Sequence, residues 1–231
     1  VLASVHAPIA ETLAAGRFGP PLNLASPDAD RRTRALEEAT RALHIARRLP
    51  FPTLVVHAGV PRAQQQSPGE NSREAARRSI EALVERAQPV GVTIAVELMP
   101  NELSRPSALV HFIEEVLETE GVGICLDLGH ARLDGDVVDA IETVSEHVVL
   151  VHAHDNFGRA DEHLMPFEGS IDWPSSMTAL QKVGYEGPVI LEVAGVGSTR
   201  DTLARGYRAG RRLEALLADS WSDQEQWNNG F

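Results

Sequence analysis

A chain of 231 residues with 43% apolar and 23% charged content can bury one sizeable core and fits a single globular domain better than two. Its net charge of -12, with every basic residue except Lys182 an arginine set beside Glu and Asp on helix faces, argues against a nucleic-acid partner and leaves only a local basic patch as a route to one. No apolar run reaches the ~20 residues of a membrane span, and the lone Cys125, inside an apolar strand, excludes a disulfide framework and points to a reducing, cytoplasmic compartment.

The chain opens on Val1 and enters a strand at Leu2 to Val5, followed by a Gly- and Pro-rich loop, Ile9 to Pro27, in which no further strand is expected. Ser26-Pro27-Asp28 reads as a helix start, with Leu36, Leu43 and Ile45 on the apolar face of a helix from Asp28 to about Leu49. The unit then recurs. Strand Thr53 to Val56 leads to a helix from Ser72 to Gln88, and strand Thr93 to Val96 to a helix from Pro106 to Thr119. Strand Val122 to Leu126 precedes a helix at Asp136 to Ser145, and strand Val148 to Val151 precedes a long loop and a helix at Trp173 to Val183. Strand Pro188 to Leu191 precedes the last helix, Thr199 to Leu217. Short β-branched strands, apolar on both faces and separated by amphipathic helices, predict a parallel sheet with right-handed crossovers. The fold class is therefore α/β, a TIM (β/α)8-type barrel with six βα units visible. The expected organisation is an N-terminally incomplete barrel over residues 1–219 and a polar tail over 220–231. Two units are expected to precede Val1. Without them the sheet has an open edge, which a second copy of the chain could cover as a homo-oligomer.

Each of the six apolar runs ends in a residue able to bind a metal: His6, His57, Glu97, Asp127, His152 and Glu192. In a parallel barrel the C-terminal strand ends carry the active site. One histidine at such a place is more often structural; six successive strands ending in His, Asp or Glu point to a cation, because buried carboxylates without one are costly. Two ends carry more. Asp127-Leu-Gly-His130 sets an imidazole one turn beyond an acid, with Gly129 allowing close approach of a ligand. His152-Ala-His154-Asp-Asn-Phe-Gly-Arg159-Ala-Asp161-Glu-His163 places His152 and His154 at strand spacing and repeats that spacing with Asp161 and His163 in the following loop.

Together with Phe-Glu168-Gly-Ser-Ile-Asp172-Trp173 and Ile-Leu-Glu192-Val, these motifs resemble the xylose isomerase-like TIM-barrel superfamily, which holds sugar isomerases and epimerases as well as the endonuclease IV family. The resemblance runs from His6 to Glu192 and implies two readings. In the isomerase and epimerase branch, Glu97, Asp127, His152 and Glu192 bind one divalent ion, Mn, Co or Mg. Glu97 and Glu192 exchange the proton beside a ketose or polyol carbonyl, and His130 binds a substrate oxygen. In the nuclease branch three zinc ions are held. His6, His57 and Glu97 take one, Glu97, Asp127, His152 and Glu192 the second, and His130, Asp161 and His163 the third, for hydrolysis of an abasic phosphodiester.

The chain has Ile9 then Ala10 where that nuclease carries an aromatic wedge, and its acidic balance also disfavours DNA, so the favoured expectation is a metal-dependent sugar, sugar phosphate or polyol isomerase or epimerase. His154, Arg159 and Glu168 are further candidate substrate-binding residues, although a solvated loop arginine is equally consistent with Arg159. A Schiff-base aldolase is excluded because Lys182 lies within a helix, and no Gly-rich phosphate loop or dinucleotide fingerprint occurs. An inactive binding scaffold is the remaining rival, set against a shell from which no residue is lost. His44 and His111 read as helix surface or packing groups, His147 as a helix cap, and Trp173 as a wall or core group.

Overall fold

The computed structural model describes residues 2–14, 17–195 and 197–228. Two compact units are distinguished: Val1–Cys125 with Glu146–Leu150, and Leu126–Ser145 with Val151–Phe231.

In the first unit, β1 (Val5–His6) is followed by a hairpin of β2 (Leu13–Ala14) and β3 (Arg17–Phe18), then α1 (Ala29–Ala46), β4 (Thr53–Val56), α2 (Arg73–Ala87), β5 (Thr93–Glu97) and α3 (Pro106–His111). The hairpin corrects the expectation of a strand-free loop. Its antiparallel pairing is prolonged by backbone bonds from the Glu11 amide to the Pro20 carbonyl and from the Leu22 amide to the Ile9 carbonyl, both 2.9 Å. The register partners Leu13 and Phe18 are both exposed, so no apolar alternation announces the strands.

Helix α1 begins where the Asp28 carboxylate accepts from the Asp30 and Arg31 amides at 2.9 Å, and α2 where Ser72 accepts from Ala75. The buried face of α1 is almost all alanine (Ala35, Ala39, Ala42 and Ala46, with Leu43), which lets α2 pack closely against it. Helix α3 stops at His111 and continues as a π turn, Phe112–Val116, in place of the regular helix expected to Thr119.

The strands pair in parallel. Val5 faces Leu54 across β1 and β4, Val56 faces Val96 across β4 and β5, and Glu97 faces Cys125 of β6 (Val122–Asp127). All six residues of β6 are buried, as a strand covered on both faces requires.

In the second unit the end of β6 leads into α4 (Leu128–Asp134), then α5 (Val137–Val144), the end of β7 (Val148–Ala153), α6 (Trp173–Lys182), β8 (Val189–Leu191) and α7 (Thr199–Asn228). Strands β7 and β8 are parallel, with His152 opposite Ile190. The hydrogen-bonded strand order is β1-β4-β5-β6-β7-β8, with β6 and β7 each running from one unit into the other. Helix α4 is absent from the sequence reading, and α7 runs past the expected end at Leu217 to Asn228. No helix among the described residues is long and apolar enough to cross a membrane.

Candidate metal centre

Register sets the first cluster. Val56 and Val96 are partners, so His57 and Glu97 stand level at the C-terminal ends of β4 and β5, with His6 ending β1 alongside. Nε2 of His6 and Nε2 of His57 lie 2.9 and 2.8 Å from the same Glu97 oxygen, Oε2, and the two rings meet edge to face with centroids 5.0 Å apart. Glu97 is 1% exposed, while His6 and His57 are half-buried at its rim. A buried carboxylate facing two imidazole nitrogens is a donor set that a divalent cation satisfies.

The second unit carries Asp127, His152 and Glu192. Nδ1 of His152 is 2.8 Å from Oε2 of Glu192 and 4.0 Å from Oδ2 of Asp127. Asp127 doubles as the cap of α4, its Oδ1 accepting the His130 amide at 2.7 Å. That cap explains the spacing in Asp127-Leu-Gly-His130: one short helical turn carries the imidazole from the strand end into the next cluster.

There, His130, His154 and His163 surround Asp161. The His154 and His163 rings stack at 3.9 Å with a 10° interplanar angle, and His130 meets His154 edge-on at 5.4 Å. Gly129 makes room for this: a Cβ there would sit 2.0 Å from the His154 ring. His163 has φ 48, a left-handed conformation unusual for a side-chain-bearing residue. It is held by its carbonyl, which accepts the Ala194 amide at 2.8 Å, and by Nδ1, 2.9 Å from the Glu192 carbonyl. Burial works against the charged form of both Asp161 and His163, yet their mutual contact outweighs it. With His130 also facing it, Asp161 is held well below the usual carboxylate range, and His163 is pushed up to about 9.

The loop carrying these residues is organised by Asp155, which is fully buried and was not singled out in the sequence. Its Oδ1 accepts the amides of Asn156 and Ile171, and its Oδ2 accepts the amide of Phe167 and the indole N–H of Trp173 at 2.8 Å. The Asp–x–His spacing in the loop therefore has a physical frame. Four donors on one buried carboxylate fix both ends of the segment.

Other candidates fall elsewhere. Arg159 is exposed beside Phe157, Ala160 and Glu162 in an open cleft, and Glu168 accepts from Arg205 at 2.5 Å. His44 and His111 are exposed, Trp173 is a core group, and Cys125 is buried. His147 stands in the last turn of the short helix Ser145–His147, at a helix end as expected, and its Nε2 lies 2.9 Å from Glu114 Oε1.

Acids and imidazoles stand at the C-terminal ends of successive parallel strands, where βα-barrel proteins carry their active sites. The chain belongs to the family described as xylose isomerase-like TIM barrel, whose family model matches residues 3–215. A ketose 3-epimerase of Arthrobacter globiformis is 26% identical over 149 residues, 62% of this chain and 47% of that protein. Uncharacterized protein MJ1311 of Methanocaldococcus jannaschii is 31% identical over 121 residues, 49% of this chain and 41% of that one. The matches thus span less than half the length of these two curated relatives. Among solved structures, a D-tagatose 3-epimerase-like protein aligns with a TM-score of 0.76 and 26% identity, over 94% of this chain and 78% of that one.

Proposed function

We propose that the chain is a divalent-metal-dependent sugar epimerase or isomerase that moves a proton at a carbon beside a carbonyl. The carrying observation is the Asp127, His152 and Glu192 group, in which one imidazole nitrogen stands 2.8 Å from one carboxylate and 4.0 Å from another. Likeness to ketose 3-epimerases supports the substrate class, a free or phosphorylated ketose.

Glu97 is the fourth donor in this reading. It faces Cys125 across β5 and β6, and Cys125 is two residues before Asp127 on one strand, so the period of two turns Glu97 and Asp127 toward the same face. Manganese, cobalt, magnesium and zinc all suit such a set of three carboxylates and one imidazole. The ion supplies charge stabilisation to an oxygen that becomes negative as the carbon acid loses its proton. Glu97 and Glu192 are the proton-exchanging groups, one accepting from and one donating to the sugar carbon. His6 and His57 hold the Glu97 carboxylate at its Oε2.

A ketose incubated in heavy water with the metal-loaded protein is expected to gain deuterium at the carbon beside the carbonyl. Glu97→Ala or Glu192→Ala abolishes the exchange. Metal-loaded protein that exchanges no proton on any ketose offered would refute the reading.

A second reading, a multi-zinc phosphodiesterase, is favoured by the full set of nuclease-branch ligands, above all Asp161 within 3.3 Å of both His130 and His163. Cleavage of an abasic duplex at enzymatic rates would establish it. Ile9 is an aliphatic, 40% exposed side chain in the place of the wedge and offers a base step little to stack on.

A further inference from the structure

The loop after β7 turns over at residues 156–162, and the turn is pinned from three sides. Asn156, fully buried, donates from Nδ2 to the Gly129 carbonyl and accepts the Gly158 amide at Oδ1, both at 2.8 Å. Glu162 accepts the Phe157 amide at 3.0 Å. Gly158, with φ 74, lies so close to Arg132 that a Cβ would meet its guanidinium carbon at 3.2 Å. The pinned turn still presents two large side chains outward, Phe157 at 55% exposure and Arg159, and with Ala160 and Glu162 they line an open cleft of about 520 Å³. That is the size of a small-molecule site. The turn follows the C-terminal end of a barrel strand, the face on which such sites lie.

Charge makes the cleft selective. In this chain of net charge -12, arginines meet carboxylates: Arg31 with Glu70, Arg77 with Glu74 and Glu81, Arg205 with Glu168. Arg159 has two acids close behind it in sequence, yet both are engaged elsewhere. Asp161 faces His130 and His163, and Glu162 takes the Phe157 amide. Among the described residues Arg159 makes no ion pair and no hydrogen bond. A guanidinium stays charged and binds a phosphate through two parallel N–H groups. The backbone that carries it is already ordered, so a ligand has less freedom to freeze. The overall negative field disfavours a dianion, and an unopposed cation at the mouth is what such a substrate requires.

We propose that this cleft is the phosphate subsite of the sugar site, with Arg159 gripping the ester oxygens by a forked pair of hydrogen bonds and Phe157 lining its apolar side. The proposal rests on the sugar reading and sharpens it: the substrate is a ketose phosphate, and the free ketose is a poor substitute. Arg159 stands two residues before Asp161, at most about 7 Å of backbone, and Asp161 lies 3.2 Å from His130. A phosphate at the far end of a ketose is separated from the carbonyl by the carbon chain, which calls for a subsite beside the strand ends.

The test is proton exchange in heavy water by the metal-loaded full chain, on a pentulose 5-phosphate and on the same pentulose unphosphorylated, with calorimetric titration of both. Wild type is expected to prefer the ester by roughly 100-fold in kcat/KM, and Arg159→Ala to cut that preference by roughly 10–100-fold, chiefly through KM. Arg159→Lys, which keeps the charge and loses the fork, recovers part of it. Ester binding that depends on Arg159, in a protein exchanging no proton on either sugar, keeps the subsite and sinks the sugar chemistry alone. A wild type that treats the two sugars alike in exchange and in binding, or an Arg159→Ala protein that keeps the full preference, overturns the proposal.

Discussion

The His6, His57 and Glu97 cluster and the His130, His154, Asp161 and His163 cluster use the same two donor groups, imidazole and carboxylate, with opposite burial. In the first the carboxylate is sealed in and the imidazoles sit at the rim; in the second His130 and His154 are buried, His163 is half-buried, and the carboxylate is the most exposed member. Local charge follows. Glu97 is shut off from water and faces His6 and His57, whereas Asp161 keeps part of its side chain in water and its contact favours the charged form of His163. The first arrangement suits a carboxylate that takes part in chemistry, and the second ties the loop after β7 to α4 through the contact of His130 with Asp161.

The sharpest way to break this contrast is at Glu97. Glu97→Ala should lower turnover by roughly 10³-fold or more, consistent with loss of a proton-transferring group, while His163→Ala should lower it far less; steady-state rates on a ketose compare the two. Next comes the frame of the second cluster. Asp155→Ala strands the Trp173 indole N–H and buried amides, a loss of about 3 kcal/mol or more, and the thermal midpoint should fall by roughly 6–12 °C for a chain of this size.

Gly129→Ala is expected to cost about 1–3 kcal/mol by overpacking, because an added Cβ would meet the His154 ring at 2.0 Å, and the thermal midpoint reads the loss.

A smaller effect is expected on the acid side. Burial raises Glu70, but the Gln66 amide and the Arg31 guanidinium outweigh it and hold the carboxyl below its usual value of 4.5. A depressed folded value means stability that is present above pH 4.5 and lost as pH falls through the folded value. Glu70→Gln should therefore flatten part of the fall in melting temperature on acidification below that pH. Leu13→Ser and Phe18→Ser, at the exposed hairpin, mark the floor, within about 0.5 kcal/mol of wild type, with metal content unchanged.

The strand ends were legible because each is a short apolar run stopped by a donor residue, and the runs at Thr53–Val56 and Thr93–Glu97 fall within a residue of their observed limits. Helix α4 was not legible: seven residues beginning Leu-Gly-His carry little helical pattern, and its one strong signal, the Asp127 cap, reads equally well as a metal ligand. His154 shows the limit of strand spacing. Strand spacing groups it with His152, but β7 ends at Ala153, and the chain carries His154 to the other cluster. The left-handed backbone at His163 and at Phe167 depends on contacts from distant segments, among them Arg212 over the Phe167 ring at 3.6 Å, and no local residue announces it.

The most direct trial of the central claim is a metal count on purified wild-type protein beside His152→Ala. The account predicts at least one tightly held divalent ion per wild-type chain and one fewer in the variant. Wild-type protein that takes up no divalent ion after exposure to manganese, cobalt, magnesium and zinc would contradict it.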